Sequence, residues 1–223
     1  MTTHPQDAKL YGRFAGIYDA VFRRFFRPRI RRTLEHMRLE PGMRVLDLGA
    51  GTGISLPLYP DGVEVTAVDL SAEMLRQAAE KVTERGLDNV ELARMDAQRL
   101  GFEDDAFDAV LISFVVSVVP DPHRLMEEAI RVTRPGGRIA VVNHFRSPYP
   151  AIGQIEDTLD RFCRHLGWNT VLRLDPLLEG LPLRIAHRYR LRRILDPWTI
   201  VVAINERGLP PYSAFQLSED IDN

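Results

Sequence analysis

Four residues in one short run could do chemistry together: Asp47, Gly49, Gly51 and Gly53 of DLGAGTG. Glycines at alternate positions allow positive φ and let a ligand come close to the main chain. The run follows RVLDL, Arg44–Leu48, which reads as a buried strand. The loop therefore stands at a strand's C-terminal end, where open α/β sheets bind ligands. A dinucleotide site would use G-x-G-x-x-G, with a pyrophosphate on a helix N-terminus. Here Ile54 stands where that third glycine would be, and Asp47 precedes the first glycine by two residues. A carboxylate there repels a pyrophosphate and attracts a cation or an amine. The pattern disfavours a nicotinamide dinucleotide and favours a ligand with an amino-acid head and an adenosine.

Three more groups of residues carry chemical character. NHFRSP places Asn143 and His144 at the end of a later apolar run. His144 could accept an amine's proton or hold a phosphate, or it could be a hydrogen-bonded structural histidine. YGRFAGIYDAVF carries Tyr11, Phe14 and Tyr18 at helical spacing. That aromatic face reads as a helix packed on the sheet or as a lid, and it suits a substrate that becomes a quaternary ammonium. FRRFFRPRIRR, residues 22–32, holds six arginines and three phenylalanines. At 100° per residue Phe22, Phe25 and Phe26 share one arc, with Arg23, Arg24 and Arg27 opposite and Arg31 joining them. The phase holds to Pro28, where a kink or a new helix is expected. Such a stretch can lie in a membrane interface, where each arginine contributes roughly 1 kcal/mol toward an anionic bilayer. The arginines at 29–32 are better suited to a substrate phosphate or to structural pairing.

The elements that must position these groups follow from periodicity. VEVTAVDL (63–70), VELARM (90–95), FDAVLIS (107–113) and RIAVVN (138–143) read as further strands. A helix is expected from Ser71 as N-cap through Arg85, with Met74, Leu75, Ala78 and Val82 as its apolar stripe. Another is expected over about 121–132, followed by a turn at RPGG, and Ile152, Ile155, Leu159, Phe162 and Leu166 mark a third. Near-continuous Val/Ile/Leu strands alternating with helices predict a parallel sheet covered on both faces. LRIAHRYRLRR (183–193) and TIVVAIN (199–205) suggest a closing antiparallel hairpin. Strict alternation would put Arg184, Arg188, Arg190 and Arg192 on one face, opposite Leu183, Ile185, His187, Tyr189 and Leu191.

At 223 residues, 45% hydrophobic and 27% charged, the chain has ordinary soluble globular composition. It can bury a sizeable core without disulfides, and its single cysteine, Cys163, permits none within the chain. The N-terminus has no apolar run of the kind a secretory signal needs, and no segment approaches the length of a membrane span. Net charge is −2 and no wider basic surface is evident, so nucleic acid is not expected as a partner. His4, His36, His123 and His165 read as surface residues, and no residues show metal-ligand spacing.

VLDLGAGTG resembles motif I of the class I S-adenosylmethionine-dependent methyltransferases. Other positions agree in order: Asp69 ends the second strand, Met74 follows it, Asp96 and Ala97 end the third, Ser113 and Phe114 end the fourth, and RPGG precedes the fifth. The resemblance implies an α/β, Rossmann-like fold with a seven-stranded, mostly parallel sheet. One strand would be antiparallel, helices would cover both faces, and an amphipathic helical extension would precede the domain. It implies S-adenosylmethionine as cofactor, with S-adenosylhomocysteine as product. Asp47 and the glycines would cradle it, Asp69 would hold the ribose, and Leu70, Met74, Asp96 and Ala97 would hold the adenine. Ser113, Phe114 and Tyr18 would lie by the sulfonium. The aromatic prefix, VDLSAEML, NHF and LGW (166–168) are further similar to the bacterial phosphatidylethanolamine N-methyltransferases. That similarity implies stepwise headgroup methylation toward phosphatidylcholine by a cytoplasmic monomer peripherally associated with the inner membrane. Tyr18 and His144 would act catalytically, and Tyr11, Arg31, Asn143, His144 and Tyr189 would contact substrate. The segment 22–27 would contact anionic phospholipid. The expected organisation is a lid and docking segment over 1–40, the methyltransferase domain over 41–207 and a tail over 208–223. A quinone C-methyltransferase or a small-amine methyltransferase is the alternative.

Overall fold

Strand order places the ends of seven strands side by side. In the computed structural model residues 15–147, 149–163, 172–191, 196 and 198–209 are described; for residues 15–24 and parts of 150–163 this covers the backbone alone. The strands are β1 (Arg44–Leu48), β2 (Glu64–Asp69), β3 (Val90–Arg94), β4 (Phe107–Ser113), β5 (Thr133–His144), β6 (Leu183–Tyr189) and β7 (Trp198–Asn205). They form one sheet in the order β3-β2-β1-β4-β5-β7-β6. β3 to β5 run parallel, and β7 is antiparallel to both of its neighbours. The expected mostly parallel sheet with one antiparallel strand is therefore what the chain forms. The order reverses between β1 and β4, which is where such sheets open a crevice for ligands.

The helices are α1 (Ala15–Met37), α2 (Ala72–Arg85), α3 (Pro122–Val132), α4 (Pro150–Cys163) and α5 (Leu174–Leu178). Local chemistry sets two of them. Ser71 caps α2, its side chain accepting from the Met74 amide at 3.3 Å, and Gly86 ends that helix in the left-handed conformation. Asp121 caps α3 by accepting from the Arg124 amide at 3.0 Å, with Pro122 in the first turn. On one sheet face Ile30, Leu34 and Met37 of α1 and Ala78 of α2 pack with Val45, Leu111 and Val142. On the other, Leu125, Met126 and Ala129 of α3 and Leu174 and Leu177 of α5 pack with Leu46, Ile112 and Val201.

Four sequence expectations change here. First, α1 runs unbroken through Pro28. The helix forgoes one backbone bond there, and Ile30, Thr33, Leu34 and Met37, all buried, hold the remainder against the sheet. Second, the arc of phenylalanines divides. Phe25 is exposed, but Phe26 is buried against Phe114 and Trp198, so Phe26 is unavailable to a bilayer. Third, RPGG does not interrupt β5; a register shift between Phe107 and Ala109 absorbs it inside the ladder with Gly136 at positive φ. Fourth, a register shift between Ile185 and His187 breaks the alternation of β6. Residues paired across a ladder share a face. Arg184 pairs with Ile204 and Tyr189 with Ile200, whereas Arg188 pairs with Val201, so Arg184 and Arg188 lie on opposite faces. Arg192, Tyr11 and the LGW segment lie outside the described residues, as do the side chains of Tyr18, Phe22, Arg23 and Arg24.

Candidate active site

The glycine loop is shaped by its own hydrogen bonds. The Gly49 and Ala50 amides both donate to the Val68 carbonyl, at 2.9 and 3.0 Å, and the Gly53 amide donates to Ala50 at 2.9 Å. Gly49, Gly51 and Gly53 all have positive φ. A Cβ on Gly49 would meet Val115 at 2.7 Å, so that glycine is required by packing. A Cβ on Gly51 would meet nothing within 4 Å, so that side of the loop faces open space.

Two carboxylates stand at this loop and a third, Asp96, follows β3 two strands away. Asp47 is fully buried and accepts from the Ser55 hydroxyl; its Oδ1 has no hydrogen-bond partner among the described residues. Burial pushes its carboxyl up to about 6, against the Ser55 and Tyr59 hydroxyls, and Asp69 adds to the rise. Asp69 accepts from the Gly51 amide through Oδ2 and from the Ser71 amide through Oδ1, each at 2.9 Å. A carboxylate has about four lone-pair sites, so Asp69 can still accept two further donors such as vicinal hydroxyls. Asp96 is exposed and accepts from the Gln98 amide at 2.9 Å through Oδ1.

Apolar groups sit beside these acids. Leu70 is 52% exposed directly after Asp69, Met74 is half-buried one turn into α2, and Ala97 is buried next to Asp96. Ser113 ends β4. Phe114 follows with φ 60°, a strained value for a bulky residue, fixed by its amide donating to Val142 at 2.8 Å. Its ring lies 4.0 Å from that of Phe26, so α1 packs directly on the end of β4.

At the end of β5, Asn143 is buried and His144 half-buried. Asn143 accepts from the Ser117 hydroxyl at 3.4 Å and donates to the His144 carbonyl at 2.8 Å. His144 Nε2 lies 3.3 Å from Glu156 Oε1, and its Nδ1 is buried without a partner among the described residues. Burial holds the His144 pKa below its ordinary value; Glu156 opposes this and the Arg190 charge adds to it. Glu156 had given no signal in the sequence, since its partner lies on another element.

Of the other anticipated substrate contacts, Arg31 is exposed on α1. The Tyr189 hydroxyl donates to the Arg32 carbonyl at 3.2 Å and meets His36 Nδ1 at 3.3 Å. His36, expected at the surface, is therefore half-buried in a cluster with Tyr189 and His187. Of the two roles expected for the arginines at 29–32, Arg29 takes structural pairing, with a partner that spacing could not reveal: it pairs with the buried Asp196 at 2.8 Å, just before β7, and lies over the Trp198 ring at 4.3 Å.

The chain is similar to known proteins. Residues 46–141 match the family model described as a methyltransferase domain. A phosphatidylethanolamine N-methyltransferase of Cereibacter sphaeroides is 45% identical over 178 residues, which span 77% of this chain and 87% of that protein. The chain belongs to the class I S-adenosylmethionine-dependent methyltransferases. A demethylmenaquinone methyltransferase of Clavibacter sepedonicus is 42% identical over 112 residues, 50% of this chain and 45% of that one. Among solved structures, a SAM-dependent methyltransferase from Aquifex aeolicus superposes with a TM-score of 0.63 at 23% identity, covering 91% of this chain and 99% of that chain. The methyl donor of this enzyme is S-adenosylmethionine. The site fits it: a buried orphan carboxylate oxygen at Asp47 can take its ammonium, and open space lies beside Gly51.

Proposed function

We propose that this methyltransferase acts on the ethanolamine headgroup of phosphatidylethanolamine, stepwise toward phosphatidylcholine, from the surface of the bacterial inner membrane. The similarity to the Cereibacter sphaeroides enzyme, which spans most of both chains, carries this reading. The menaquinone-pathway relatives match over only about half of the chain and favour a quinone C-methyltransferase as the second reading.

In this proposal Asp47 and the loop amides take the cofactor's amino-acid head, Asp69 its ribose, and Leu70, Met74, Asp96 and Ala97 its adenine. Ser113, Phe114 and Tyr18 border the sulfonium. S-adenosylmethionine supplies an electrophilic methyl group, and the chain supplies alignment, exclusion of water and a proton acceptor. The amine must lose a proton before it can attack. Glu156 orients His144 by accepting a hydrogen bond from Nε2–H, which makes Nδ1 the basic nitrogen; that atom is buried, so substrate binding must open its cover. The depressed pKa keeps that imidazole neutral near pH 7. His144→Ala is expected to lower turnover by about 10²-fold or more, with cofactor affinity nearly unchanged. Exposed Phe25, Arg27 and Arg31 on α1, with Arg23 and Arg24, supply the contact to anionic lipid.

The test is incubation of the protein with S-adenosylmethionine and phosphatidylethanolamine vesicles, with lipids analysed by mass. Mono-, di- and trimethylated lipid is expected, at a rate that rises with anionic lipid and falls with salt. No methylated lipid, with turnover of a demethylated quinone instead, would replace this reading by the second.

Asp47 gives a pH signature. A carboxyl raised to about 6 in the fold stabilises the protein in its neutral form, and that contribution is lost as pH rises through 6. A bound ammonium favours the charged form, so cofactor affinity should rise between about pH 5 and 7. Calorimetry across that range should show the rise in wild type and a flat, roughly tenfold weaker profile in Asp47→Asn.

A further inference from the structure

A cavity of about 920 Å³ opens beyond the end of β5, away from the glycine loop. Among the described residues four arginines line it, Arg146, Arg173, Arg188 and Arg190, against one carboxylate, Asp175. Two of the four are neutralised. Asp157 holds Arg146 through two bonds of 2.8 and 2.7 Å, and Asp175 holds Arg188 at 2.6 Å. The other two have no carboxylate bonded to them among the described residues. Arg190 donates through Nε to the Thr199 hydroxyl at 3.1 Å, which fixes its plane, and its terminal nitrogens have no acceptor among the described residues. Arg173 is exposed and makes no side-chain hydrogen bond among the described residues, and its charge reaches the Asp157 carboxylate that Arg146 already holds.

A guanidinium oriented by a hydroxyl, with its terminal donors unused, suits an anion that accepts at two points, and phosphate does so. Around the arginines Phe145, Tyr149 and Leu174 provide apolar wall. The place is as informative as the charge. Thr199 pairs with Asn143 across the β5–β7 ladder, so Arg190 stands on the face of Asn143 and Phe145, the residues on either side of His144, whose own ladder partner is Trp198. The Arg190 charge is felt at the His144 imidazole. In an ethanolamine phosphodiester one oxygen and two carbons separate phosphorus from nitrogen. An anion seated by Arg190 thus leaves its amine beside the β5 end.

We propose that this cavity is a phosphate-ester site in which Arg190 and Arg173 bind the phosphodiester of the acceptor lipid and so present its amine to His144. The proposal rests on the phospholipid reading above. It also gives Tyr189 a role through its ring, which lines the cavity, since α1 engages its hydroxyl.

The test is calorimetric titration of glycerophosphoethanolamine, and separately of inorganic phosphate, into the S-adenosylhomocysteine-loaded protein. Wild type is compared with Arg190→Gln and with Arg173→Gln, the latter an exposed side chain; retained S-adenosylhomocysteine affinity reports the fold of both. Wild type should bind the diester, and each variant should bind it about tenfold more weakly. Inorganic phosphate should bind more weakly than the diester. No diester binding, equal binding by all three proteins, or binding of inorganic phosphate alone would overturn the site. Vesicle methylation separates the two ideas. Diester binding without lipid turnover would refute the phospholipid reading and leave a phosphate-ester site. Lipid turnover that both variants match at every lipid concentration would refute the site and leave the reading.

Discussion

Gly51→Ala should leave the protein folded and strongly weaken S-adenosylmethionine binding, whereas Gly49→Ala should impair folding and binding together. Both glycines have positive φ, at 55° for Gly51 and 79° for Gly49. An L-residue there costs about 1–2 kcal/mol in either position. At Gly51 nothing else is added, because the new Cβ meets no atom within 4 Å. In a domain of this size that corresponds to a loss of roughly 2–8 °C in melting temperature. At Gly49 the Cβ would lie 2.7 Å from Val115 Cβ and 2.9 Å from its Cγ2. That overpacking adds about 1–3 kcal/mol, because Cβ cannot swing away as a side-chain tip can. The space open beside Gly51 is where the loop would receive the cofactor, and the Gly51 amide also holds Asp69. A methyl group there should reduce affinity by about 10²-fold or more, since it both fills that space and disturbs the Asp69 carboxylate bonded to the Gly51 amide. Melting curves and calorimetry on the two variants check this. Wild-type affinity in Gly51→Ala would show that the cofactor does not pass over that face of the loop.

What could be read from the chain follows the range of the interactions involved. RVLDL and FDAVLIS form strands over the expected residues because a strand buried on both faces must be apolar along its length. Ser71 and Asp121 mark helix starts because a cap is a contact across three residues. The glycine spacing and Asp47 were legible for the same reason. Pro28 misled, because tertiary packing of Ile30, Leu34 and Met37 outweighs one missing backbone bond. Phe26 misled because three residues on one arc of a helix need not meet the same surroundings; the edge of that arc reaches Phe114 and Trp198. The alternation of β6 failed at a register shift, which one extra residue in a ladder produces without a sequence signature here. The partners of His144 and Arg29 come from elements far along the chain, and no spacing rule reaches them.

Arg29 has the largest expected effect on stability. Its Nε and Nη2 donate to Asp196 Oδ1 at 3.2 and 2.8 Å, its Nη1 donates to the Phe25 carbonyl, and its guanidinium lies over Trp198. Asp196 is buried, its Oδ2 has no partner among the described residues, and its Oδ1 also accepts the Trp198 amide at 3.1 Å. Arg29→Met would leave that carboxylate buried without a counter-charge, at a cost of about 3–5 kcal/mol. The melting temperature should fall by roughly 6–20 °C. The double variant Arg29→Met/Asp196→Leu should recover most of the loss, because a well-packed apolar pair removes the stranded charge. The ion pair joins α1 to the residue two before β7, and on the same helix Phe26 packs on Phe114 at the end of β4. Loosening α1 should therefore weaken S-adenosylmethionine binding in Arg29→Met at temperatures where the protein is still folded, and the double variant should restore it. A double variant as unstable as the single would mean that Arg29 acts through its stacking on Trp198 rather than through Asp196.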